Sequence, residues 1–82
     1  MATLTQDQIL PAVTEIVATV FGLPAETLTA DRDLRAIEGI DSVKVMRAIA
    51  MIEQRFDVEL EDSDIFAART TADLAALIGK AQ

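Results

Sequence analysis

The sequence predicts an all-α fold: a small four-helix bundle of three main helices and one short one, with a long loop between the first and second. Three observations carry this. Apolar residues recur at helical spacing in separate stretches, and no segment alternates with period two. The apolar half of the chain is aliphatic, with three Phe and neither Trp nor Tyr among 82 residues. Helix start and stop signals bracket the periodic stretches. A chain this short is expected to make one domain, residues 1–82, with a modest core.

The first helix is predicted over residues 7–21. Ile9, Val13, Ile16, Val17, Val20 and Phe21 fall at i, i+4, i+7, i+8, i+11 and i+12, which is one helix face. Thr5 or Asp7 supplies the cap. Pro11 lacks the N–H that an interior position uses, so it is expected within the first turn. Gly22 ends the helix and Pro24 prevents its resumption. Residues 23–41 then read as a loop, long for so small a chain. Leu23, Leu28, Leu34, Ile37 and Ile40 are spaced as anchors that dip into the core, leaving Asp31, Asp33 and Glu38 in water.

The second helix, Ser42–Phe56, has the cleanest pattern. Val45, Met46, Ile49, Ile52 and Phe56 cluster on one face, and Asp41 is placed to cap the first turn. The outer face carries Lys44, Arg47, Met51, Gln54 and Arg55, with Val43 at its edge. Residues 57–64 hold five acids around one anchor, Leu60. A short helical turn over residues 63–68, started by Asp62 or Ser63, is expected to bury Ile65 or Phe66. The last helix begins at Thr70, where Thr70-Thr71-Ala72-Asp73 makes a capping box with Asp in place of Glu. Leu74, Leu77 and Ile78 form its inward stripe, and Gly79 is expected to close it.

Composition narrows the function. Fourteen acids against seven bases give a formal charge of −7. Nucleic acids and anionic membranes both need a basic face, so neither is an expected partner. The charge suits a soluble monomer that meets basic surfaces on partner proteins, and equally suits plain solubility. The chain has no cysteine, so it forms no disulfide or thiolate metal site, and no histidine. The segment Met1-Ala2-Thr3-Leu4-Thr5-Gln6-Asp7 has no basic start or apolar stretch, so no signal peptide is read. A cytoplasmic location is expected.

Catalysis by the chain itself is not expected. There is no Gly-rich phosphate loop, and the carboxylates are scattered. Asp41 and Ser42 are adjacent at a helix start, so they do not face each other as base and nucleophile, and no third group orients them. The acidic residues 57–64 lack the glycine and ligand spacing of a calcium loop and read as a solvated face. Ser42 is the residue of interest. A serine in the first turn faces solvent, where unpaired N–H groups and the helix dipole favour an attached anion. Taken alone, the same serine is an ordinary helix-start residue, and the chain an unmodified helical interaction module.

The order and spacing of several segments carry more information. They are Phe21-Gly22-Leu23, Asp33-Leu34, Gly39-Ile40-Asp41-Ser42-Val43, the run from Ile52-Glu53-Gln54-Arg55 through Phe56-Asp57-Val58-Glu59-Leu60, and Thr70-Thr71-Ala72-Asp73-Leu74. From about Ile9 to Ile78 the chain resembles the acyl carrier protein family, which includes peptidyl and aminoacyl carrier domains. The resemblance implies that Ser42 is esterified by 4′-phosphopantetheine, delivered from coenzyme A by a phosphopantetheinyl transferase. It implies that Asp41 helps the transferase recognise the site, and that Val43 lies beside the arm. The arm's thiol would hold an acyl group as a thioester and present it to loading and processing enzymes. This fits a chain without cysteine.

The resemblance departs at the second helix. Carriers of bacterial fatty-acid synthesis have a strongly acidic helix here, which docks on basic enzyme patches. In this chain the outward positions are Lys44, Arg47 and Arg55, with Met51 between them. They are candidate partner-recognition residues, or an ordinary solvated face. The pattern favours a dedicated carrier, in polyketide, aminoacyl or modified-lipid synthesis, over the housekeeping role. Peptidyl carriers typically have Gly-Gly-His/Asp-Ser at the motif. Gly39-Ile40-Asp41-Ser42 is closer to the acyl type, with an aminoacyl or peptidyl carrier as the alternative.

Overall fold

The computed structural model describes residues 4–82; residues 1–3, which open the stretch read above as free of a signal peptide, lie outside it. All regular structure among the described residues is helical. α1 (Gln6–Phe21), α2 (Ser42–Phe56), α3 (Asp62–Ala67) and α4 (Thr71–Ala81) are joined by segments that include single 3-10 turns at Ala25–Thr27 and Leu34–Ala36. The predicted loop between the first two helices is therefore partly ordered into short turns.

Thr5 is extended and caps α1, with its N–H donating to the Gln8 side-chain oxygen at 2.9 Å. The helix starts one residue before the predicted boundary, and Pro11 lies in its second turn, not its first. Asp7 and Pro11 are both exposed, so water can serve the carbonyl that the proline leaves without a donor. Gly22 takes the left-handed conformation, φ 71°, that ends α1. Ile9, Val13 and Val17 are fully buried, while Ile16 and Val20 lie at the rim of the core.

α1 packs against both α2 and α4. α2 contributes Ala48, Ile49 and Ile52 to the core, with Val45 and Phe56 half-buried beside them. Met46 does not join this face: it is 52% exposed. At 100° per residue it sits about a quarter-turn from the Val45–Ile49–Ile52 axis. α3 starts one residue earlier than predicted, with extended Glu61 before it and the carboxylates of Asp62 and Asp64 in its first turn, where the helix dipole favours them. Ile65 is its buried residue, Phe66 is 72% exposed, and Leu60 is half-buried rather than buried.

The capping box of α4 forms as predicted. Asp73 N–H donates to the Thr70 hydroxyl at 3.0 Å, and Thr70 N–H to the Asp73 carboxylate at 3.2 Å. Leu74 and Ile78 are buried, joined by Ala75 and Thr71, while Leu77 is half-buried. Gly79 does not end the helix, which runs to Ala81. It permits a close approach instead. A side-chain Cβ there would lie 2.6 Å from the Gln6 amide nitrogen, and that amide donates to the Ala75 carbonyl at 3.0 Å.

The segment before α2 is fixed to the end of α3 and the start of α4. Leu28, Leu34 and Ile37 are buried, and Leu23 and Ile40 half-buried. Leu34 N–H donates to the Arg69 carbonyl at 2.8 Å, and Ala72 N–H to the Ala30 carbonyl at 3.2 Å. The Arg35 guanidinium donates to the carbonyls of Ile65 and Phe66 at 3.3 and 2.5 Å. Asp33, expected in water with Asp31 and Glu38, is instead half-buried. Its carboxylate accepts from Arg35 N–H at 2.9 Å and pairs with Arg69 at 3.3 Å. The pair is largely solvent-exposed and adds little stability.

Two outcomes are expected. Replacing Ile49 or Ile52 with Ala should cost ~2–5 kcal/mol, since each leaves a cavity in a small core. Replacing exposed Ser42 with Ala should cost no more than ~1 kcal/mol, because Asp41 still caps the helix; urea unfolding ranks the three variants. The second outcome concerns Asp73. Chiefly the Arg69 N–H, and then Thr70, hold its carboxyl below the ordinary value of 3.8. A depressed pKa means that the cap's contribution is present above 3.8 and is lost as pH falls through the folded value. Asp73→Ala should therefore lower the urea midpoint clearly at neutral pH, and the gap from wild type should shrink in acid.

Candidate functional site at the head of α2

Ser42 is the first residue of α2 and is exposed. The turn before it is set by Gly39, whose φ of 84° suits glycine; nothing lies within 4 Å of a Cβ built there, so conformation and not space favours the residue. Ile40 N–H returns to the Ile37 carbonyl at 3.3 Å, and Ile37 is buried. Asp41 then adopts an extended conformation, and its carboxylate accepts from Lys44 N–H at 3.0 Å, the capping bond expected of it. The Asp41 carboxylate is thus directed to the backbone. Among the described residues, the N–H groups of Ser42 and Val43 have no protein acceptor.

A groove of about 290 Å³ opens beside Ser42. Its walls are Arg35, Ile40, Asp41, Ser42, Val45, Met46, Ile65 and Phe66, a lining that is mostly apolar. Behind it, an apolar pocket in the core has a void of about 20 Å³, enough for about one water molecule. Arg35, Val45 and Ile65 contribute to both. Three segments therefore converge on Ser42: the turn before α2, the first turns of α2, and α3, which Arg35 ties to the turn.

Of the other residues singled out in the sequence, Val43 is 63% exposed and stands next to Ser42. Lys44 is half-buried; Arg47, Met51 and Arg55 are exposed along α2, away from the groove. The Arg55 guanidinium lies 6.0 Å from the centre of the Phe56 ring. Sequence reasoning missed the groove's own lining. Met46 follows Ser42 at i+4, the spacing of same-face neighbours, and that signal was available. Arg35, Ile65 and Phe66 reach the site only through tertiary packing. No cluster of three or more metal-ligating side chains occurs among the described residues.

The chain is similar to known proteins in sequence and in fold. Residues 11–78 match the family model for the phosphopantetheine attachment site. The chain is 35% identical over 75 residues to an acyl carrier protein of an Exiguobacterium species, covering 92% of this chain and 95% of that one. It is 34% identical over 77 residues to an acyl carrier protein of Kineococcus radiotolerans, covering 94% and 95%. The fold is similar to the solved acyl carrier protein of Enterococcus faecalis, with a TM-score of 0.78 at 23% identity, covering 96% of this chain and 100% of that one. The chain belongs to the acyl carrier protein family, whose members bear a covalently attached 4′-phosphopantetheine and have no catalytic activity of their own.

Proposed function

We propose that Ser42 is the attachment residue and that the chain, a single carrier domain in the cytoplasm, holds acyl intermediates for a dedicated biosynthetic pathway. The observation that carries the assignment is the exposure of Ser42 as the first residue of α2, inside the span matched by the attachment-site family. In the transfer from coenzyme A, Ser42 Oγ would form the new phosphodiester bond at the pantetheine-side phosphorus as the pyrophosphate bond of coenzyme A breaks and adenosine 3′,5′-bisphosphate leaves. The hydroxyl proton leaves to the transferase.

The residues present fit such a group. The unpartnered Ser42 and Val43 N–H groups favour an anion at this helix start. Asp41 is held by its bond to Lys44 N–H, which orients the turn that a transferase must read. Ile40, Val45, Met46, Ile65 and Phe66 offer apolar wall beside the attachment point. The bound arm supplies the thiol that forms the thioester. The chain contributes a rigid base, so the tethered group keeps a high effective concentration near any docked enzyme.

The finer reading, a dedicated pathway rather than housekeeping fatty-acid synthesis, rests on α2. Its outward charges are Lys44, Arg47 and Arg55, and its single acid, Glu53, is half-buried and accepts from Leu60 N–H at 2.9 Å. An enzyme that reads acid on this helix finds none free. Polyketide or modified-lipid synthesis fits such a carrier.

Two experiments test these points. Incubation with coenzyme A and a broad-specificity phosphopantetheinyl transferase should raise the intact mass by one phosphopantetheinyl unit, and Ser42→Ala should stay unchanged. Wild type that resists several transferases would instead leave an unmodified interaction module. For the pathway, the holo protein should be a poor substrate for a fatty-acid malonyl transferase or ketosynthase. Lys44→Glu with Arg47→Glu should improve turnover, more at low salt than at high salt. Wild-type turnover equal to that of a housekeeping carrier, and unmoved by the reversals, would sink the dedicated pathway.

A further inference from the structure

Six of the seven basic residues divide into two kinds; the seventh, Lys80, stands in the last turn of α4, where the helix dipole favours it. Arg32 donates to the Thr27 carbonyl, Arg35 to those of Ile65 and Phe66, and Arg69 pairs with Asp33. Those three are engaged in internal bonds. Lys44, Arg47 and Arg55 form no ion pair and no side-chain hydrogen bond among the described residues. They follow one another, with exposed Met51, at i, i+3, i+7 and i+11, which is one stripe along about 16 Å of helix.

Folding does not account for the stripe. Lys44 stands in the first turn of α2, where the helix dipole disfavours a cation. Arg47 follows at i+3 with the same sign, which costs helix stability. Arg55, in the last turn, is placed favourably, so Lys44 and Arg47 are the telling pair. Across the groove between α1 and α2, Glu15 shares the lining with Met51 and Arg55, yet among the described residues it makes no ion pair with Arg55. On a chain of formal charge −7, three cations gather on one flank with no ion pair among the described residues.

We infer that the Lys44–Arg47–Met51–Arg55 stripe docks a protein partner bearing carboxylates spaced along a helix, around an apolar side chain that meets Met51. The inference rests on the carrier reading above, since the stripe begins two residues from Ser42 and would set how an enzyme approaches it. Charge complementarity selects the partner's sign. The strong net negative charge opposes extended polyanions, so a compact acidic patch on a folded enzyme is the fitting occupant.

The test uses holo protein labelled with ¹⁵N and two helical peptides of equal length. One carries Glu at i, i+4, i+7 and i+11 around a central Leu; the other carries Lys at the same places. The Glu peptide should shift the amide signals of Lys44, Arg47, Met51 and Arg55. Its affinity should fall about tenfold or more in Lys44→Gln/Arg47→Gln, and fall with added salt. Circular dichroism checks that the variant is folded; Lys44→Arg/Arg47→Lys keeps the charge and should keep most of the binding. The proposal is overturned if the Glu peptide does not bind, maps elsewhere, or binds no better than the Lys peptide at this face. It is also overturned if phosphatidylglycerol vesicles or duplex DNA occupy the stripe more tightly than the Glu peptide does. Failure of the carrier reading is separate: Ser42 would resist modification, and the same titrations on unmodified protein would still decide the stripe.

Discussion

Burial of Leu28, Leu34 and Ile37 is the constraint on which the rest of the structure depends. A connection of some twenty residues loses much conformational entropy when it is ordered. The three aliphatic side chains offset that loss from inside the bundle. The backbone bonds from Leu34 to Arg69 and from Ala72 to Ala30, with Arg35 on the end of α3, then fix what lies between. α2 starts where this segment delivers it. An unanchored crossing would leave Ser42 on a helix of uncertain direction, and the groove would lose the Arg35 and Ile40 side.

α2 serves three surroundings at once, and its sequence divides accordingly. Ala48, Ile49 and Ile52 bury into the core shared with α1 and α4. Ser42 and Met46 stand on the flank that faces α3 and its groove. Lys44, Arg47, Met51 and Arg55 stand on the flank towards α1, where Met51 and Arg55 meet the α1 groove. A fifteen-residue helix has about four turns, enough for each face to hold three or four side chains. The two flanks can therefore vary in sequence without disturbing the packed face.

Where the sequence misled, a local rule was applied without the residue's surroundings. Gly79 looks like a helix stop because glycine is common there. In the structure its missing side chain makes room for Gln6, which reaches across from α1 to the Ala75 carbonyl. Pro11 looks like a first-turn residue because an interior proline loses a hydrogen bond; on an exposed flank water meets that loss. Met46 looks like core because it is apolar. Its angular position puts it on the rim instead, where it forms the wall beside Ser42.

The sequence by itself determined the helix content, the α4 capping box, the Asp41 cap and most of the aliphatic core. Each depends on periodicity or on contacts within a single turn, and both are written in neighbouring residues. It also singled out Ser42, because a motif keeps its spacing in the chain. Tertiary structure alone decided which distant side chains share the site. Arg35, Ile65 and Phe66 come to the groove from segments separated from one another in sequence, through the packing of the crossing segment against α3. It alone also decided which charges are spent on internal bonds and which stay free. Composition counts Arg35 and Arg47 alike; only the fold bonds the first to carbonyls, while among the described residues the second makes no such bond.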